Sequence, residues 1–262
     1  MNKKIIFNAD DFGLSKGVNL GIIEAHQNGP VRSTTLMAGG VAFEHAVALA
    51  KIHPELNVGI HLTLTASRSV GGPHKTLTDE NGFFLPLIAF IDKAKRGLLD
   101  LTEVEAEYEA QIQKVLDAGI IPTHFDSHHH THFLPGVFDV FLKMAVKYNV
   151  SRVRISHTRM QEGGNSLINL ADPSINVLTT DQFAEDFYGD GVTIDNLKRI
   201  IASFQGNTLE IMLHPAYIDY TLHKSSSYLL PRAYEVEILT SAELCSFLAN
   251  QQVEIASFLD LP

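Results

Sequence analysis

The strongest constraint in this 262-residue chain is an alternation: apolar runs of strand length, each followed by an amphipathic helical stretch, from one end to the other. The runs span residues 4–8, 33–38, 57–64, 121–127, 150–156, 209–214 and 253–258. Most are continuously apolar, as in strands covered on both faces within a parallel sheet. The helical stretches carry end signals. Thr102 with Glu105 predicts a capping box for a helix that stops at Gly119. Pro135 falls early in a helix running to Tyr148, and Thr240 with Glu243 predicts the cap of the last helix. Ile194, Leu197, Ile200, Ile201 and Phe204 form a core-facing stripe. About seven parallel strands with right-handed crossovers predict an α/β fold, a distorted or incomplete (β/α) barrel. An open doubly wound sheet is the alternative. No repeat or linker divides the chain, so one domain over residues 1–262 is expected.

Two intervals are too long for plain connections, 66–100 and 157–191. Both follow predicted strands directly, on the side where barrel enzymes keep their active sites, so they are expected to form walls or lids of a substrate site. No apolar run has the length of a membrane span, and the first residues are expected to enter a strand rather than a signal peptide. A formal net charge of −10 argues against a nucleic-acid partner, whose phosphates it would repel. Cys245 is the one cysteine, which excludes an internal disulfide and fits a reducing cytoplasm. Its surroundings predict a buried helix residue without catalytic duty.

The chemistry gathers at the ends of predicted strands. The segment His124-Phe-Asp-Ser-His-His-His-Thr-His132 holds five of the thirteen histidines. Imidazole is costly to desolvate but is the commonest metal ligand, so this density points to metal binding rather than packing. Strand alternation would place His124, Asp126 and His128 on one face and His129 on the other. The first strand ends in Asn8-Ala-Asp-Asp-Phe-Gly13, the third in Gly59-Ile-His-Leu-Thr63, the sixth in His214-Pro215. Of two adjacent carboxylates, Asp10 and Asp11, one could ligate a metal and the other act as a base; helix capping is the plainer role. His61 and His214 are each, in isolation, compatible with packed core histidines. One carboxylate and two imidazoles leave open coordination positions, the pattern of a catalytic site.

The strings Asn8-Ala-Asp-Asp-Phe-Gly-Leu-Ser15, Gly59-Ile-His-Leu-Thr63, Thr123-His-Phe-Asp-Ser-His-His-His130 and His214-Pro-Ala216 resemble the YdjC-like carbohydrate deacetylases, a family that includes chitooligosaccharide deacetylases. The resemblance runs in order through nearly the whole chain. It implies a distorted barrel similar to polysaccharide deacetylases, with His61, His128 and a carboxylate of the Asp10–Asp11 pair as ligands of one magnesium ion. Ligand softness by itself favours zinc or manganese. The reaction this implies is hydrolysis of acetyl groups from N-acetylated sugars or short chitin-type oligosaccharides. Asp11, His61 and His128 would hold the metal, Asp10 would be the base and His214 the acid. Asp126 would orient a ligating imidazole, and Arg154 could orient Asp10. A homodimer is also implied. Two rival readings are a metal-dependent phosphoesterase, expected to hold two or more ions, and a non-catalytic sugar-binding protein on the same fold.

Overall fold

The computed structural model describes residues 3–162 and 176–261. The chain divides into two compact units: Met1–Leu36, Ala42–Val58 and Thr180–Pro262 form the first, Met37–Val41 and Gly59–Thr179 the second. Every strand pairing described within them is parallel, the α/β arrangement expected from the alternation.

In the first unit β1 (Lys3–Phe12) is the central strand. It pairs with β2 (Ser33–Leu36) on one side and with β6 (Thr208–Leu213) on the other. β7 (Val253–Ala256) pairs with its first residues, and β5 (Gln182–Ala184) lies outside β6. Helix α1 (Lys16–Gln27) begins where Ser15 accepts a hydrogen bond from the Val18 N–H. It packs hard against the chain that leaves β6. A Cβ on Gly21 would lie 2.5 Å from Ala216 Cα, so only glycine admits this approach. The contact seats the His214-Pro-Ala segment on α1.

β3 (Asn57–Leu62) starts in the first unit and runs into the second, where it pairs with β4 (Phe125–Ser127). A Cβ on Gly59 would fall 2.5 Å from the His124 carbonyl oxygen, so this pair too depends on a glycine. α4 (Leu101–Asp117) and α5 (Val137–Lys147) pack on one another in this unit.

Several local expectations are corrected. Residues 150–156 do not form a strand of their own; Arg152 and Val153 make isolated parallel bridges to Leu178 and Phe125. β5 instead arises inside the interval 157–191, which also contains α6 (His157–Glu162); residues 163–175 of that interval lie outside the described residues. The interval 66–100 contains α3 (Leu87–Lys95). Asp100, not Thr102, caps α4, because its carboxylate reaches the Thr102 N–H at 2.9 Å. Ser241, not Thr240, caps α10 (Ala242–Ala249), and α5 starts after Gly136 rather than at Pro135. Cys245 is exposed on α10, not buried.

Candidate active site

The first unit presents two adjacent carboxylates because β1 is bulged. Ala9 sits opposite Thr34 and Phe12 opposite Leu36, three steps along β1 against two along β2. The extra residue falls at Asp10–Asp11, and a bulge re-aims side chains that strict alternation would send to opposite faces. Asp11 takes a φ of 69°, a left-handed conformation that aspartate tolerates at a cost of about 1 kcal/mol. Both carboxylates are buried. Asn8 Nδ2 donates to Asp10 Oδ1 at 2.8 Å, and Arg232 Nη2 donates to Asp11 Oδ2 at 2.7 Å. The guanidinium is buried as well, and supplies the charge partner that a carboxylate needs in a dry setting.

Arg232 belongs to α9 (Leu230–Leu239), and its Nε donates to the Tyr228 carbonyl at 3.0 Å. One turn further along, Glu235 is fully buried. Its Oε2 accepts from the His214 backbone N–H and its Oε1 from the Tyr228 hydroxyl. Burial pushes the Glu235 carboxyl up to about 8, despite the opposing pull of the His214 hydrogen bond and of Arg232. Glu235 thus carries its proton through neutral pH while fixing the chain at His214. Burial also raises the Tyr228 phenol, so that hydroxyl stays a neutral donor.

In the second unit the parallel register sets His61 beside Asp126 on adjacent strands. His61 Nδ1 lies 2.7 Å from Asp126 Oδ1, and Arg154 Nη1 lies 3.0 Å from Asp126 Oδ2. All three side chains are buried. A carboxylate on Nδ1 makes that nitrogen the N–H and puts the ring lone pair on Nε2, the tautomer suited to ligating a cation.

β4 ends at Ser127, so strand alternation does not govern the histidines that follow. The chain turns through a 3₁₀ segment, His128–Phe133, in which His129 and His130 have φ of 55° and 54°. Two successive left-handed residues cost on the order of 1–3 kcal/mol each, which the surrounding contacts must offset. The turn sets the His128 ring 5.4 Å from that of His61 and the His129 ring 3.9 Å from His128. His129 Nδ1 meets Thr65 Oγ1 at 2.8 Å. The remaining histidines of the cluster serve the fold. His124 bonds Thr123 and lies under Gly59. His132 is stacked on Phe141, with Nδ1 on Ser127 Oγ and Nε2 on the Arg154 carbonyl. Burial, then Arg154, holds His132 well below the usual histidine range, and burial does the same to His130.

The seven residues singled out from the sequence thus divide between the units. Asp10, Asp11 and His214 stand in the first, and His61, Asp126, His128 and Arg154 in the second. Arg232, Glu235 and Tyr228 were not singled out. Buried or half-buried side chains of the type that could bind a metal occur in both units: Asp10 and Asp11, then His61, Asp126 and His128.

A parallel α/β chain with such carboxylates and imidazoles at its strand ends has the framework and donor set of metal-binding enzymes. Residues 4–250 match the family described as YdjC-like protein, and the chain belongs to that family. A protein of Listeria monocytogenes serotype 4a named carbohydrate deacetylase is 45% identical, covering 98% of this chain and 100% of its own. A carbohydrate deacetylase of Brevibacillus brevis is 41% identical, covering 98% and 99%. A solved structure from Enterococcus faecalis, described as a candidate cellobiose-phosphate cleavage protein, is 33% identical with a TM-score of 0.86 over 99% of this chain and 98% of that one.

Proposed function

We propose that this protein is a metal-dependent deacetylase that removes acetyl groups from N-acetylated sugars or short chitin-type oligosaccharides. The observation that carries the reading is the buried His61–Asp126–Arg154 chain, with Asp126 fixing one imidazole nitrogen. Near-full-length likeness to proteins named carbohydrate deacetylase supports it independently.

Asp11, His61 and His128 would hold one divalent ion. The donor set fits: a carboxylate and two imidazoles, with His61 tautomerically set and Asp11 charge-paired. Family likeness favours magnesium, whereas two imidazoles suit zinc or manganese. When bound, the ion supplies polarisation of the amide carbonyl and a lower pKa for water. Asp10, oriented by Asn8, takes the proton from the water whose oxygen bonds to the acetyl carbon. As the C–N bond breaks, His214 gives a proton to the departing nitrogen, so the sugar leaves as a free amine and the acetyl group as acetate. Glu235 holds the His214 backbone for that transfer.

Acetate release from a panel of N-acetylated mono- and oligosaccharides tests the reading. Release that a chelator abolishes is expected; no release from any member would refute it. His214 has its own test. His214→Ala should slow amides far more than activated esters, whose leaving groups depart without a proton. Equal losses on both would reduce His214 to a binding role.

A further inference from the structure

Beside His214 lies an aromatic pair that none of these steps uses. The Tyr188 and Tyr228 rings stack at 4.2 Å between centroids and 7° between planes. Both stand edge-on to the His214 ring, at 5.6 Å and 5.7 Å. Tyr228 is the fixed member. Its hydroxyl donates to Glu235 and accepts from the Gly189 N–H at 3.1 Å, while the Arg232 guanidinium lies 5.3 Å from its ring centre. Tyr188 is laid on this support just before the turn Gly189–Gly191, whose first residue has a φ of 59°. Although one face rests on Tyr228, Tyr188 remains 47% exposed.

A ring this exposed does not serve to fill a core, yet it is held flat by a specific stack. Tyr228, itself half-buried, is held by buried residues already tied to the site: Glu235 also holds His214, and Arg232 also holds Asp11. A flat apolar surface held rigid next to a polar rim suits one class of ligand especially well. Pyranose rings have a face of C–H groups and a rim of hydroxyls, and the C–H face packs on an aromatic ring. We propose that Tyr188, backed by Tyr228, is a stacking platform for a pyranose ring and sets the affinity of the site for saccharides. The assignment of His214 to a sugar site rests on the deacetylase reading, but the platform binds the ring of the sugar and not its acetamide.

That difference makes the two separable. The probes are N,N′-diacetylchitobiose, which the deacetylase reading says is turned over, and cellobiose, which has no acetyl group to lose. Binding is measured on the full chain and on Tyr188→Leu, Tyr188→Phe and Tyr188→Trp, by calorimetry for cellobiose and, for N,N′-diacetylchitobiose, by the KM for acetate release, or by calorimetry where no acetate appears. The chain has no tryptophan, so Tyr188→Trp also gives a single emission signal at the platform. Tyr188→Leu should weaken both sugars by about tenfold, the scale of one aromatic stacking contact. Tyr188→Phe should stay within about twofold, because the hydroxyl is not the recognising group, and Tyr188→Trp should shift its emission with either sugar. Unchanged affinity in Tyr188→Leu, an equal loss in Tyr188→Phe, or no binding of either sugar would each overturn the platform. If both sugars bind in a Tyr188-dependent way and no acetate appears, the platform stands and the deacetylase reading falls.

Discussion

Glu235 shows how much a single side chain can decide here. Its folded value of about 8 lies above the ordinary 4.5, so between those limits the folded chain holds a proton that the unfolded chain has released. The stability due to this group is therefore complete below about pH 4.5 and lost as pH rises through about 8. Glu235→Gln removes the titration while keeping the shape. Melting temperatures taken from pH 5 to 9 should fall less steeply in Glu235→Gln than in the parent, and parallel curves would contradict the assignment. The Asp10–Asp11 pair admits an equally sharp test. Asp11→Asn is expected to lower metal content. Asp10→Asn is expected to keep the metal and lose roughly a hundredfold or more in rate, the scale of a general base. Metal analysis on both variants reads the outcome, and a reversed pattern would exchange the two roles.

Among the elements, those with long apolar runs were legible and short ones were not. β1, β2, β3, β6 and β7 overlap the predicted strands, although β2 reads Ser-Thr-Thr-Leu and β7 alternates as Val-Glu-Ile-Ala. β5 is three half-buried residues, too brief to carry a period, and residues 150–156 have strand composition but make only single bridges. The caps missed were near-misses between neighbouring acceptors: Asp100 beats Thr102, and Ser241 beats Thr240, because the better placed oxygen wins. Asp10, Asp11, His61 and the histidine cluster stood out as polar residues at the ends of apolar strands. Arg232 and Glu235 did not, since 221 residues separate Arg232 from Asp11 and both look like ordinary helix charges. A signal was nevertheless present. Arg232, Glu235, Val236 and Leu239 are spaced as one buried helical stripe, so two charges occupy core positions. α4 repeats the pattern, with Glu107 and Gln111 on the stripe of Val104, Tyr108, Ile112 and Val115. Glu107 accepts from the N–H groups of Val70 and Gly71 at 2.9 Å and from Gln111, and contacts His74, pinning the interval 66–100 to the helix. Glu107→Leu should cost about 2 kcal/mol in urea unfolding, because the buried Gln111 amide and the Val70 and Gly71 N–H groups lose their acceptor. Amide exchange at Val70 and Gly71 should rise with it. Unchanged exchange there would show that the interval is held by other contacts.

At the scale of the whole molecule, the family assignment covers residues 4–250, and catalytic chemistry is proposed on strand ends in both compact units. Among the described residues no helix is long and apolar enough to cross a membrane. A formal charge of −10 suits an uncharged sugar substrate better than a polyanion. The central claim is that a single divalent ion serves amide hydrolysis on an acetylated sugar. The direct measurement is a titration of metal-depleted chain with magnesium, zinc and manganese, following acetate released from N,N′-diacetylchitobiose. The rate should climb in proportion to added metal and level off at one equivalent per chain, and His61→Ala and His128→Ala should stay inactive throughout. Acetate release that levels off only at two or more equivalents, or no acetate at any metal level, would contradict it.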